Sequence, residues 1–158
     1  MFNLNDNLKN KKILIYGYGK SGQASFKYLK KNNKISIYDD NITIKKSSIS
    51  FKKIRISEFD YIVLSPGIDI NKCKLKNYIK KNKRKIVTDL DIFHLNNPKN
   101  LKITITGTNG KSTTAKLLFK ILKDQNKDVK LIGNIGIPAL SKNKIRPNTI
   151  FVIEASSY

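Results

Sequence analysis

The amino-acid sequence predicts an α/β protein with parallel sheets, and three observations carry that prediction. Short apolar runs bounded by glycine or proline alternate with stretches whose apolar residues recur at helical spacing, the pattern of strand-helix-strand units. Two of these runs end directly in a glycine-bearing turn that opens a helix, at "IYGYGKSG" (15–22) and "ITGTNGKST" (105–113). Between the two cycles, "NNPKN" (96–100) is polar, contains proline and has no apolar residue, which marks a boundary.

Taken in order, "KILIYG" (12–17) reads as a strand, and residues 21–31 place Ala24, Tyr28 and Leu29 at helical spacing. "KISIYDD" (34–40) alternates Ile35 and Ile37 before an acidic end, as a second strand does. "IRISEF" (54–59) reads as a further short strand, and "DYIVLSPGI" (60–68) as a buried strand stopped by Pro66-Gly67. A helical stretch over 71–82 follows. "KIVTDLDIFHL" (85–95) then gives a strand and a short helix with Thr88 or Asp89 as its N-cap. Past the boundary, "LKITITG" (101–107) is a strand. "TTAKLLFKILKDQ" (113–125) is a helix with Leu117, Leu118, Ile121 and Leu122 on one face. "DVKLIGNIG" (128–136) and "TIFVIEASSY" (149–158) add two more strands. Tyr158 falls just after a strand, where such a sheet places its ligands and its next helix. The second domain is therefore expected to be cut short, and the chain to be the N-terminal part of something longer.

Composition sets limits on function. With 39% hydrophobic residues the 158-residue chain can pack a core, and no segment reaches the roughly 18–20 apolar residues of a membrane span. The start has no apolar run behind its charges, so a cytoplasmic protein with no membrane association is expected. Cys73 is the single cysteine and cannot form an internal disulfide, in keeping with a reducing compartment. His94, the single histidine, is expected near a helix end at the surface. A formal charge of +21 invites a nucleic-acid reading. The basic residues are almost all lysine and lie in every segment, with arginine only at 55, 84 and 146, so no nucleic-acid partner is expected. Abundant lysine, isoleucine and asparagine suit an A- and T-rich coding sequence.

The first turn, Gly17-Tyr18-Gly19-Lys20-Ser21-Gly22, fits G-x-G-x-x-G after a strand and before a helix, with Asp39 ending the next strand. Glycines allow close backbone approach, and the helix start directs unpaired N–H groups and a positive dipole end at a diphosphate. On these residues alone a nicotinamide or flavin dinucleotide is the ordinary ligand, with Asp39 accepting a ribose hydroxyl. Glycines serving only tight strand-helix packing are the plainer alternative.

The second turn, Gly107-Thr108-Asn109-Gly110-Lys111-Ser112-Thr113, is the stronger signal. Its amides can wrap phosphate oxygens, Lys111 can reach the terminal phosphates of a nucleoside triphosphate, and the Ser112 hydroxyl can ligate Mg²⁺. It departs from G-x-x-x-x-G-K-[ST] in having Ile105 at the first glycine position. Two strand ends fit the same site: Glu154, a carboxylate placed to hold Mg²⁺, and Asn134 in the "GNIG" loop. The two turns give a Rossmann-like domain over residues 1–95 and the first part of a P-loop-type α/β ATPase domain over 96–158.

The series "GYGKSG", "YDD", "LSPGI", "TDLDIF", "TGTNGKSTT", "GNIGIPAL" and "IEASSY", in this order along the whole chain, resembles the Mur ligase family. The resemblance implies an ATP-dependent, ADP-forming ligase of peptidoglycan precursor synthesis that joins D-glutamate to UDP-N-acetylmuramoyl-L-alanine through an acyl phosphate. It implies that the first domain holds the UDP moiety and the second holds ATP and Mg²⁺. Carried over by position, Gly19, Lys20 and Ser21 lie by the substrate diphosphate. Asp39, with Asp40 and Asn41, receives the uracil, and Ser65, Pro66 and Gly67 form the facing wall. Asn134 touches the sugar-peptide end. Gly107 to Thr113 bind ATP, with Lys111 on the transferred phosphate, and Ser112 and Glu154 help hold the metal. Asn41 stands where the family often has a basic residue, and Asp91 where it often has glutamate. The second metal site and the domain that selects the amino acid are expected beyond Tyr158, so the fragment by itself is expected to be inactive. A sibling ligase adding another amino acid is the nearest alternative, and a monomer is expected.

Overall fold

The computed structural model describes residues 8–41, 48–141 and 144–156. The start of the chain, and Ser157 and Tyr158 at the end of the last motif, lie outside them. The first unit runs β1 (Lys12–Tyr16), α1 (Lys20–Leu29), β2 (Lys34–Tyr38), β3 (Tyr61–Leu64), α2 (Lys76–Lys81), β4 (Ile86–Thr88) and α3 (Asp89–Asn96). Its four strands form a wholly parallel sheet in the order β2-β1-β3-β4. The second unit runs β5 (Lys102–Ile105), α4 (Lys111–Asp124), β6 (Val129–Gly133) and β7 (Ile150–Glu154), a parallel sheet in the order β5-β7-β6.

Strands β1 and β3 read as continuous apolar runs because both faces of the first sheet are covered. Leu14 and Tyr16 face a core with Ile54, Phe59, Leu75 and Ile79, while Ile13 and Ile15 face one with Leu29, Ile92 and Phe93. That second core continues through Ile132, Leu140, Phe151 and Ile153 of the second unit. Phe93 meets Phe151 edge-on at 4.7 Å between ring centroids, a pairing worth about 0.5–1.5 kcal/mol beyond its buried area. The "NNPKN" connection is tied down as well. The Lys102 ammonium donates to the carbonyls of Asn97 and Asn100, and the Asn100 amide donates to those of Arg146, Pro147 and Thr149.

Three expectations need correction. "IRISEF" is not a strand, since Ile56–Glu58 form a single 3₁₀ turn. Ile54 and Phe59 are its buried anchors, five apart, while Arg55 and Glu58 pair across one turn in solvent, so no alternation exists for a ladder to use. The helix expected over 71–82 is confined to Lys76–Lys81. Ahead of it the Asp69 carboxylate accepts from the Asn71 N–H, and Cys73 and Leu75 are buried two apart, a spacing no helix face provides. On α4 the covered residues are Ala115, Leu118, Phe119 and Leu122, whereas Leu117 and Ile121 are 58% and 50% exposed. Two neighbouring apolar stripes run along this helix, and the one containing Ala115 meets the sheet.

Thr88 caps α3. Its hydroxyl accepts from the Asp91 N–H while the Asp91 carboxylate accepts from the Thr88 N–H, a reciprocal capping box. His94 lies near the end of α3 and is exposed.

Candidate functional site

The strand order brings the first turn to its place. After β1 the chain crosses to β2 on one side and then to β3 on the other, so a crevice opens between the carboxyl ends of β1 and β3. Gly19 begins α1 without a side-chain cap, which leaves the N–H groups of the first helical turn directed at that crevice. Gly22 is required by close packing: a Cβ there would lie 1.9 Å from the Gly17 carbonyl oxygen. On the facing side, the Ser65 hydroxyl donates to the same Gly17 carbonyl at 2.8 Å, which locks the two loops together.

A cavity of about 510 Å³ occupies the crevice. It is lined by Gly19, Lys20 and Ser21 from the first turn, by Asp39 and Asn41 after β2, and by Ser65, Pro66 and Gly67 after β3. Its far wall comes from the other unit, through Gly133, Asn134 and Ser156. Of the residues expected around the first ligand, only Asp40 is not on this lining. Asp40 is turned instead to two tyrosines, accepting from the Tyr16 hydroxyl at 2.6 Å and the Tyr38 hydroxyl at 2.8 Å. Burial and this carboxylate push the Tyr38 hydroxyl up to about 12 and the Tyr16 hydroxyl far above its ordinary value, so both stay protonated donors. Asp39 accepts from the N–H of Tyr18 at 2.6 Å and of Asn41 at 2.9 Å.

The second turn follows β5, and Gly110 in a left-handed conformation starts α4 with Lys111 and Ser112 as its first residues. Ile105 and Glu154 are register partners on adjacent strands, so the carboxyl end of β7 arrives beside this turn. There the Ser112 hydroxyl donates to Glu154 at 2.9 Å, and Glu154 is only 4% exposed. The Lys111 ammonium folds back on its own loop, donating to the carbonyls of Gly107 at 2.5 Å and Thr108 at 3.1 Å. A hydroxyl and a carboxylate in contact at a helix start are hard oxygen donors of the kind Mg²⁺ takes, with a phosphate and waters completing the shell. Among the described residues no group of three or more His, Cys, Asp or Glu forms an all-protein metal cage.

Residues 105–158 match the model of the Mur ligase middle domain. The chain is 36% identical over 156 residues to a UDP-N-acetylmuramoylalanine--D-glutamate ligase of Francisella philomiragia, covering 97% of this chain. It is 37% identical over 160 residues to the protein of that name from Francisella tularensis, covering 99% of this chain. Over residues 105–158, and in its likeness to these ligases, the chain is similar to the Mur ligase family. It spans 36% of the length of those relatives. A crystal structure of UDP-N-acetylmuramate:L-alanyl-gamma-D-glutamyl-meso-diaminopimelate ligase from Neisseria meningitides aligns with 92% of this chain and 52% of its own, at 18% identity and a TM-score of 0.48.

The residues that sequence reasoning passed over are Ser156 and Asp89. Ser156 follows Glu154 by two residues and accepts from the Asn134 amide at 2.8 Å on the cavity wall. The two-residue period of an extended segment was the available signal. Asp89 opens α3 and is 2% exposed, with neither carboxylate oxygen making a well-formed hydrogen bond. Burial raises its pKa, and the nearby Ser21 hydroxyl offsets part of that rise. It borders a second cavity of about 310 Å³ that shares Ser65, Pro66, Asn134 and Ser156 with the first. Among the described residues no helix is long and apolar enough to cross a membrane.

Proposed function

We propose that this chain is the nucleotide-binding part of an ATP-dependent, ADP-forming ligase that joins D-glutamate to UDP-N-acetylmuramoyl-L-alanine in the cytoplasm. In this reading residues 1–95 hold the uridine diphosphate substrate and residues 96–158 begin the ATP-binding domain. One observation carries it: β7 delivers Glu154 to the Ser112 hydroxyl of the second turn and, two residues later, Ser156 to the wall of the cavity at the first. Two candidate polyanion sites therefore meet along one short segment.

The roles follow from charge and position. The amides at the start of α1 and the Lys20 ammonium hold the diphosphate, Asp39 accepts from the nucleoside, and Asn134 steers the sugar-peptide end toward the triphosphate. Lys111 leaves the carbonyls of Gly107 and Thr108 for the stronger acceptors of the triphosphate, while the amides from Gly107 to Thr113 wrap its oxygens. Ser112 and Glu154 would hold Mg²⁺, which supplies charge neutralisation between two anions that otherwise repel. In the reaction the alanine carboxylate attacks the γ-phosphorus, forming an acyl phosphate and releasing ADP. The amine of D-glutamate then attacks the acyl carbon, forming the amide and releasing phosphate and a proton. Lys111 is suited to stabilise the charge that builds on the phosphoryl oxygens in the first step.

The test is calorimetric titration of the 158-residue chain with UDP-N-acetylmuramoyl-L-alanine and, separately, with a non-hydrolysable ATP analogue and Mg²⁺. Saturable binding of each, undiminished by prior saturation with the other, is expected. Mutual exclusion of the two ligands would overturn the two-site reading.

A further inference from the structure

We propose that Asp40 is a positioning residue for the nucleoside end of the first site, acting through a clamp with Tyr16 and Tyr38 rather than by touching the ligand. The inference rests on the nucleotide reading proposed for the 510 Å³ cavity and specifies how that cavity holds its acceptor.

Tyr16 and Tyr38 are register partners at the carboxyl ends of β1 and β2, with ring centroids 5.3 Å apart, and both rings sit in the core on the α2 side of the sheet. Their hydroxyls take the two oxygens of Asp40 separately, Tyr16 on Oδ2 and Tyr38 on Oδ1. Both donors come from buried side chains on a four-stranded sheet, so the carboxylate is fixed in place and in rotation. Past the end of β2 the chain bends at Asp40, and the two carboxylates take different partners. With Asp40 anchored to the tyrosines, Asp39 lies at the first turn, where its oxygens accept from the N–H groups of Tyr18 and Asn41 and it lines the cavity. An Asp-Asp pair at the end of this strand thus divides its work: the second residue holds the chain, and the first presents an acceptor to a ribose hydroxyl or base N–H. A carboxylate already holding two strong donors has little reason to leave them for a ligand.

The experiment compares the wild-type chain with Tyr16→Phe/Tyr38→Phe, Tyr38→Phe, Asp40→Asn and Asp40→Ala, measuring UDP affinity by calorimetry and the affinity for a non-hydrolysable ATP analogue as an internal control. The double tyrosine variant, which leaves Asp40 in place, is expected to bind UDP about tenfold or more weakly with analogue binding unchanged. Asp40→Asn, which keeps one acceptor oxygen, is expected to retain more UDP affinity than Asp40→Ala. If the double variant fails to fold, Tyr38→Phe alone, with one donor remaining, is expected to show a smaller selective loss. Wild-type UDP affinity in the tyrosine variants, alongside its loss in Asp40→Asn, would make Asp40 a direct contact and overturn the proposal alone. Equal losses of UDP and analogue would overturn it as mere disruption of the fold. Analogue binding without any UDP binding in the wild type would overturn the nucleotide reading of this cavity and the proposal with it.

Discussion

The two glycine turns share the local sequence Gly-Lys-Ser at a helix start, at Gly19-Lys20-Ser21 and at Gly110-Lys111-Ser112, yet the fold treats them differently. The first is wedged shut. Gly22 presses on the Gly17 carbonyl, Ser65 bonds that same carbonyl, and a Cβ on Gly17 would meet Ser65 at 2.8 Å. The second stands open, with nothing within 4 Å of a Cβ on Gly110 and its shape held by Lys111 bonding its own loop carbonyls. The serines differ too: Ser112 donates to Glu154, whereas Ser21 lies beside Asp89, whose oxygens complete no well-formed bond. The difference teaches that one short sequence can give a turn set by packing or a loop held by its own lysine.

The largest effect should come from glycine. Gly22→Ala forces a methyl group into a backbone carbonyl and is expected to cost about 3 kcal/mol or more of stability. Gly110→Ala meets only the strain of a left-handed residue, about 1 kcal/mol. Denaturant unfolding of both variants checks this, and equal losses would erase the contrast between the turns. Next in size, Lys111→Ala should weaken binding of the ATP analogue about a hundredfold while leaving UDP binding and the melting temperature nearly unchanged. A matching loss of UDP affinity would mean that the two sites are not separate.

The smallest effect concerns the acid beside Ser21. Burial raises the Asp89 pKa in the folded state, so the protonated form favours folding below the ordinary carboxylate range. That contribution is lost as pH rises through the folded value, so above it Asp89 opposes folding. Asp89→Asn is therefore expected to raise the melting temperature at pH 7, with the gain shrinking on acidification. Thermal unfolding across pH 3–7 measures it. A pH-independent gain would point to packing and not to charge.

Much of this contrast is legible in the sequence. The all-apolar runs of β1 and β3, an N-cap at Thr88, both glycine turns and the arrival of Glu154 at a strand end follow from local rules of spacing, capping and backbone freedom. What could not be read depends on which element lies across the gap. Nothing local tells Asp39 from Asp40, because the distinction is made by hydroxyls on β1 and β2. Leu117 and Leu118 look alike until the sheet is beneath one of them. The segment around Ile54 has strand-like composition, but its two buried anchors are set by the route the chain takes from β2 to β3.

The edge-on contact between Phe93 and Phe151 bears on any attempt to isolate the first unit by itself. A cut at Asn97 would expose aromatic surface on both products, so the piece carrying the first turn should clump unless that patch is first redesigned with polar side chains.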